Sequence, residues 1–212
     1  MIHPKYININ RILGAMTFLI SFIVYFDTMA PSVSYWDCGE FIAVSYTLGV
    51  PHPPGSPLFL LLGRIASMLQ ISEDIAFRVN LLSPLASAFS VLFLYFIIVQ
   101  LVNHWRGNIE TNTDALIAFG AGIVGSLTFA FTDSHWFNAV EAEVYAFSTF
   151  FTAIVVWLAL LWSEKADEKG NERYILIIAY MIGLATGLHL LNLLTIPFVA
   201  LLILSLIHIS EP

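Results

Sequence analysis

The stretch "PLFLLLGRIASMLQI", residues 57–71, decides how this chain is threaded. At about 1.5 Å of helical rise per residue it falls short of a hydrocarbon core about 30 Å thick. It carries Arg64 at its centre and follows the stiff turn "PHPPGSP", residues 51–57. These features predict an amphipathic helix lying in the membrane interface. A crossing helix here would invert every later one. With the stretch in the interface, Lys5, Arg11, Arg106, Lys165, Lys169 and Arg173 fall on one side, leaving Arg64 and Arg78 on the other. The positive-inside rule makes the first side cytoplasmic. The connection "SYWDCGEFIAVSYTLGVPHPPGSPL", residues 34–58, and the turn "TDSHWFNAVEAEVY", residues 132–145, then share the extracytoplasmic face.

The rest of the chain is written for lipid. Of its 212 residues 58% are hydrophobic and 11% charged, with a mean hydropathy of +0.84. Soluble domains run at about 45–50% apolar and about 25% charged. An all-α polytopic membrane protein is expected, with about six transmembrane helices at residues 12–30, 79–102, 115–131, 144–162, 174–191 and 193–209. The first run is long and lacks a small-x-small cleavage site, so it is expected to stay as an anchor. The connections "NHWRGNIETNTD" and "SEKADEKGNER" read as short, wet cytoplasmic links. A net charge of −7, with no basic face, excludes nucleic acid as a partner. The single cysteine, Cys38, rules out an intrachain disulfide and reads as a packing residue.

Polar side chains are therefore informative where they gather. Asp37 and Glu40, three residues apart, share a helical face directly after a membrane span, where carboxylates usually mark a site. The same spacing fits a capping box on the helix "CGEFIAVSYTL", and both roles are compatible. Prolines around His52 present it in a defined direction, toward a ligand or toward solvent and headgroups. Glu141 and Glu143 open the helix "AEVYAFSTFFTAIVVW", and the helix dipole accounts for one of them. Two, on the face already holding Asp37 and Glu40, make a cluster. Tyr35, Trp36, Trp136 and Tyr145 fit an interfacial aromatic belt, and aromatic rings are also what a sugar or polyprenyl chain packs against. His189 and Asn192, at the outer end of the fifth run, either line a cavity or bond across helices. Arg64 and Arg78 either snorkel to lipid phosphates or clamp the phosphate of a lipid-linked donor. The acidic pairs could hold a divalent ion through oxygen ligands, but no ligand spacing compels a metal.

A first span, an acidic loop and an "HPPG" turn leading into an interfacial helix resemble the N-terminal module of the GT-C membrane glycosyltransferases. "WDCGEFIA", "GVPHPPGSPL" and "AEVYAF" together are still more similar to a bacterial family of unknown function related to the eukaryotic transmembrane protein O-mannosyltransferase of plexins. The resemblance runs from about Arg11 to Phe198. It implies that Asp37 is the catalytic base with Glu40 beside it, that His52 belongs to the donor site, and that Glu143 is the second-loop acid. Arg64 and Arg78 have no counterpart in the pattern. GT-C enzymes have more spans, so the chain is expected to be an N-terminal fragment, with residues 1–204 as its transmembrane module. The tail "LSLIHISEP" resembles a translated sequencing adapter, and residues 205–212 are expected to be non-native.

The expected function is inverting transfer of mannose from a polyprenyl-phosphate donor to a protein Ser/Thr hydroxyl or another acceptor, protein or glycan. Catalysis would rest on Asp37 and Glu40, with His52, Arg64, Arg78, Glu141, Glu143, Tyr145 and His189 binding donor and acceptor. The expected location is the bacterial inner membrane, among its lipids, with the site facing the periplasm. Beyond the lipid-linked sugar no cofactor is implied, and no nucleotide-binding motif is present. The alternatives are a transporter or flippase that uses the loop carboxylates as a proton or cation path, and a structural membrane subunit.

Overall fold

A computed structural model describes residues 2–210; of the segment 205–212 expected to be non-native, residues 211 and 212 lie outside the described residues. Helix α1 (Pro4–Thr28) opens on a proline, whose missing N–H costs nothing in a first turn. The first connection folds into two short helices, α2 (Cys38–Thr47) and α3 (Pro57–Met68). They approach so closely that a Cβ at Gly63 would lie 2.8 Å from the Cβ of Ser45. Next comes α4 (Ile75–Asn80), started by the Asp74 carboxylate, which accepts from the Ala76 N–H at 2.7 Å. It continues through Leu81 into α5 (Leu82–Arg106), making one apolar rod of 32 residues. This rod begins earlier than residue 79 because Asp74 supplies the cap.

Helix α6 (Asn112–Ala130) starts at a capping box formed by Thr111 and Asp114. A short helix α7 (Asp133–Ala139) turns the chain into α8 (Val144–Glu164). After α9 (Glu172–Thr186) and a 3-10 turn (Leu190–Leu194), α10 (Thr195–Ser210) ends the described chain. Helix α5 is the axis of the bundle, packed against α1, α6 and α8, while α8 carries α9 and α10.

The molecule is an all-α membrane protein. Among the described residues four helices are long and apolar enough to cross a bilayer: α1, the α4–α5 rod, α6 and α8. The expected fifth and sixth spans are shorter, with α9 at 15 residues and α10 at 16. The chain breaks between them because the proline turn is stapled there. The Leu58 N–H donates to the Gly187 carbonyl at 2.8 Å, and the Ser56 hydroxyl to the Leu188 carbonyl at 2.8 Å. Helix α3, with 12 residues, reaches only about 18 Å, well short of a bilayer.

The two ends of the bundle differ in charge. At one end the His3 N–H bonds to the Ile109 carbonyl at 3.1 Å, and Arg11 shares a cavity with Asn103 and Glu164. That end therefore gathers Lys5, Arg11 and Arg106 with the lysine-bearing connection between α8 and α9. The connections at the other end carry the carboxylates singled out above. There the Tyr25 hydroxyl donates to the Ala130 carbonyl at 2.8 Å, and Phe41, Phe59 and Phe147 pack edge to face.

Candidate functional site

Asp37 sits at the N-cap of α2 and Glu40 in its first turn. The proline turn brings His52 back over them. The His52 N–H donates to Glu40 Oε1 at 2.8 Å, and its ring Nδ1 lies 2.7 Å from Glu40 Oε2. Its other nitrogen, Nε2, is 3.9 Å from Asp37 Oδ2, and the ring rests near Phe41. The hydrogen bond from the His52 ring holds Glu40 below the usual carboxylate range and, in return, raises His52. All three are open to solvent, with Asp37 the most exposed at 59% of its side chain. The capping box read from the spacing does not form: Asp37 makes no side-chain cap bond, and Glu40 is committed to His52.

Glu141 and Glu143 are built differently. Helix α8 starts at Val144, so both residues precede the helix they were expected to open, and Glu143 makes no side-chain cap bond. They are 3% and 7% exposed. The Ser34 hydroxyl donates to Glu141 Oε2, and the Cys38 thiol lies 3.7 Å from Glu143 Oε1. Glu141 Oε1 has no hydrogen-bond partner. Burial pushes Glu143 up to about 7, with the charges of Asp37 and Glu141 adding to the shift. Burial, then the same two glutamates, also drives the Cys38 thiol well above its usual range.

Asp37 of the first pair meets Glu141 and Glu143 in one pocket of about 210 Å³, walled also by Trp36 and Tyr145, while Glu40 and His52 stand beside Asp37 outside its lining. A residue that the sequence did not single out joins the loops of the two pairs. Asn80, fully buried at the end of α4, donates to the carbonyls of Ala30 and Ser32, both at 2.9 Å, and accepts from the Ala142 N–H at 3.1 Å. The Ala30 N–H adds a bond to the Val140 carbonyl at 2.9 Å. The only signal for Asn80 in the sequence is a lone amide at the start of a long apolar run.

The remaining predicted residues lie at the rim or outside the pocket. Tyr145 packs against His189, their rings 5.2 Å apart, and His189 Nδ1 accepts from the Leu191 N–H at 3.2 Å. Asn192 bonds across helices, accepting from the Thr152 hydroxyl at 3.3 Å. Arg64 donates to the Tyr46 carbonyl at 2.6 Å, at the far end of α2 from Asp37. Arg78 donates to the carbonyls of Ser72 and Ser67, at 2.6 and 2.8 Å. Both guanidiniums thus satisfy backbone carbonyls, and among the described residues the cationic side chain beside Asp37 is His52. Asp37, Glu40 and His52 each place one ligand atom within 4.8 Å of the others. Carboxylate oxygens and imidazole suit a divalent ion, so the metal question left open by the sequence narrows to these three residues.

Residues 37–211 match the family described as the protein O-mannosyl-transferase TMEM260 N-terminal domain. The chain is 31% identical over 198 residues to "Protein O-mannosyl-transferase tmem260" of Dictyostelium discoideum, covering 86% of this chain and 22% of that protein. It is 29% identical over 162 residues to "Protein O-mannosyl-transferase TMEM260" of Mus musculus, covering 76% of this chain and 21% of that protein. The chain therefore spans about one fifth of the length of the curated relatives it matches. No solved structure matches it. With a matched segment that takes in Asp37, Glu40, His52, Glu141 and Glu143, the chain belongs to the protein O-mannosyl-transferase TMEM260 N-terminal domain family.

Proposed function

We propose that the chain is the N-terminal module of a longer GT-C type glycosyltransferase, which moves mannose from a polyprenyl-phosphate donor to a protein Ser/Thr hydroxyl on the extracytoplasmic face. The observation that carries this reading is one pocket at the end of the bundle opposite the cation-rich end, where Asp37, with His52 and Glu40 beside it, faces the buried Glu141 and Glu143. The names of the relatives supply the sugar and the class of acceptor. The positive-inside asymmetry supports the extracytoplasmic side. In a bacterium this would be the periplasmic face of the inner membrane.

The chemistry is a single displacement. The acceptor oxygen attacks the anomeric carbon, the bond from that carbon to the donor phosphate breaks, and the configuration inverts. The hydroxyl proton passes to the Asp37 carboxylate, which is exposed enough to meet an incoming acceptor. The polyprenyl phosphate leaves as an anion, and His52, held protonated over more of the neutral range by Glu40, stands where it would meet that charge. Arg64 and Arg78 are engaged elsewhere, so the phosphate-facing role passes to His52. Burial raises the proton affinity of Glu143, which lessens the negative charge beside the base. These carboxylates lie on loops and short helices at one end of the bundle, which weighs against a through-membrane ion path.

The decisive experiment assays Asp37→Asn, in the full-length protein carrying this chain, for mannose transfer to a Ser/Thr peptide in proteoliposomes. Loss of transfer with retained folding is expected. Unchanged transfer refutes the assignment of the base, and proton flux coupled to substrate movement would favour a transporter.

A further inference from the structure

One side chain at the pocket is held in a conformation that its residue type disfavours. Trp36 has a φ of 60°, in the left-handed region that a bulky L residue rarely occupies, yet 83% of its surface is exposed. Backbone strain of this kind persists only where the surroundings impose it, and it concentrates at ligand sites. Here it sets the indole as a wall of the pocket that Asp37 lines. Tyr145, 45% exposed, and Phe137 supply further aromatic surface, and Asn138 and Glu143 supply polar groups. Glu141, 3% exposed, belongs to the same lining, and its Oε1 has no hydrogen-bond partner among the described residues. A buried acceptor without a donor carries a free-energy cost that a hydroxyl would remove. The neighbouring Tyr35, 86% exposed, is not part of this lining. Tyr35 has the setting of a lipid-belt residue, whereas Trp36 has that of a ligand platform.

A ligand that meets all these demands has an apolar face for a flat ring and several hydroxyls around its edge. We infer that this pocket seats the pyranose ring of the donor, with Trp36 as the stacking surface and Glu141 Oε1 as acceptor for a sugar hydroxyl. The inference rests on the glycosyltransferase reading and names its sugar subsite. A polyprenyl tail carries no hydroxyls and would leave Glu141 Oε1 without a donor. Stacking on Trp36 would also turn the sugar toward Asp37, the adjacent residue in the chain.

The test compares binding of polyprenyl-phosphate mannose with binding of sugar-free polyprenyl phosphate by the full-length protein carrying this chain, in phospholipid nanodiscs. Trp36→Ala should weaken the sugar-bearing lipid about tenfold and leave the sugar-free lipid unchanged. Trp36→Leu, which keeps apolar bulk without a flat ring, should show the same selective loss, and Glu141→Gln should lower the preference for the sugar. Tyr35→Ala should leave that preference intact. Equal weakening of both lipids by Trp36→Ala would make Trp36 a membrane anchor and overturn the inference. Full retention of the preference by Trp36→Leu, or no preference in the unsubstituted chain, would overturn it as well. The reaction itself is judged separately by Asp37→Asn, which should abolish transfer while keeping the sugar-dependent binding.

Discussion

The first acidic pair and the second meet at one pocket through Asp37 but are built on opposite principles. Asp37 and Glu40 stand in the open, tied to a histidine from a rigid turn. Glu141 and Glu143 are nearly sealed from solvent beside a thiol and a serine hydroxyl, with no ion pair to either among the described residues. The hydrogen bond from His52 lowers the proton affinity of Glu40, whereas burial raises that of Glu143. The difference comes from burial and partners alone.

The most damaging change to the exposed pair should be Asp37→Asn, which removes the base; a loss of about 10²- to 10⁴-fold in transfer rate is expected, read in the peptide assay. Next in size is Asn80→Ala, which cuts the tie between the two loops. It leaves two carbonyls and one N–H without their partner, so unfolding in detergent should become easier by roughly 2–3 kcal/mol. Cys38, the single cysteine, offers a direct readout of the same opening: its alkylation should accelerate, and an unchanged rate would mean that the loops stay together without Asn80.

A smaller effect separates the pairs by pH. Glu143 is raised from 4.5 to about 7 in the folded state, so between those values the folded protein holds more protons than the unfolded chain. Stability therefore declines as pH rises from about 4.5 through about 7. Glu143→Gln should flatten that decline and stabilise the protein at pH 8 by roughly 2 kcal/mol once solvent screening is allowed for. Unfolding free energies at pH 5 and pH 8 supply the check, and an identical slope in the variant would show that another group titrates.

The smallest expected effect lies on the exposed side. Glu40 raises His52 and His52 lowers Glu40, so any stabilisation from their contact is present while both are charged, fading as pH climbs through the folded-state value of His52 and as it falls through that of Glu40. Glu40→Gln should bring the His52 titration, followed by NMR of the imidazole, down toward the ordinary histidine range near 6.5. A titration that does not move would remove Glu40 from its role as the partner of His52.

How far these residues could be read in advance depended on the distance over which their environment is built. The proline turn and the short helix after it are local features, and the turn does deliver His52 to Glu40 across only 12 positions. The capping box was an equally local reading and failed because His52 competes for the same carboxylate. Arg64 and Arg78 looked free for a phosphate because a sequence does not display the carbonyls of Tyr46, Ser67 and Ser72 that take their hydrogen bonds. Asn80 was invisible for the same reason, since its partners lie 48 to 62 positions away.

The sequence by itself determined that this is an all-α membrane protein with a short helix outside the spans, most of its cations gathered at one end, and its family. Those properties follow from composition, from the length of each apolar run and from helical rise, which the chain carries residue by residue. Only the tertiary structure decided that one acidic pair is exposed and the other buried, that Asn80 holds them together, and that Trp36 turns into their pocket. Burial and proton affinity depend on atoms from distant segments, and those atoms become neighbours only when α4 packs between the loops at the end of the bundle.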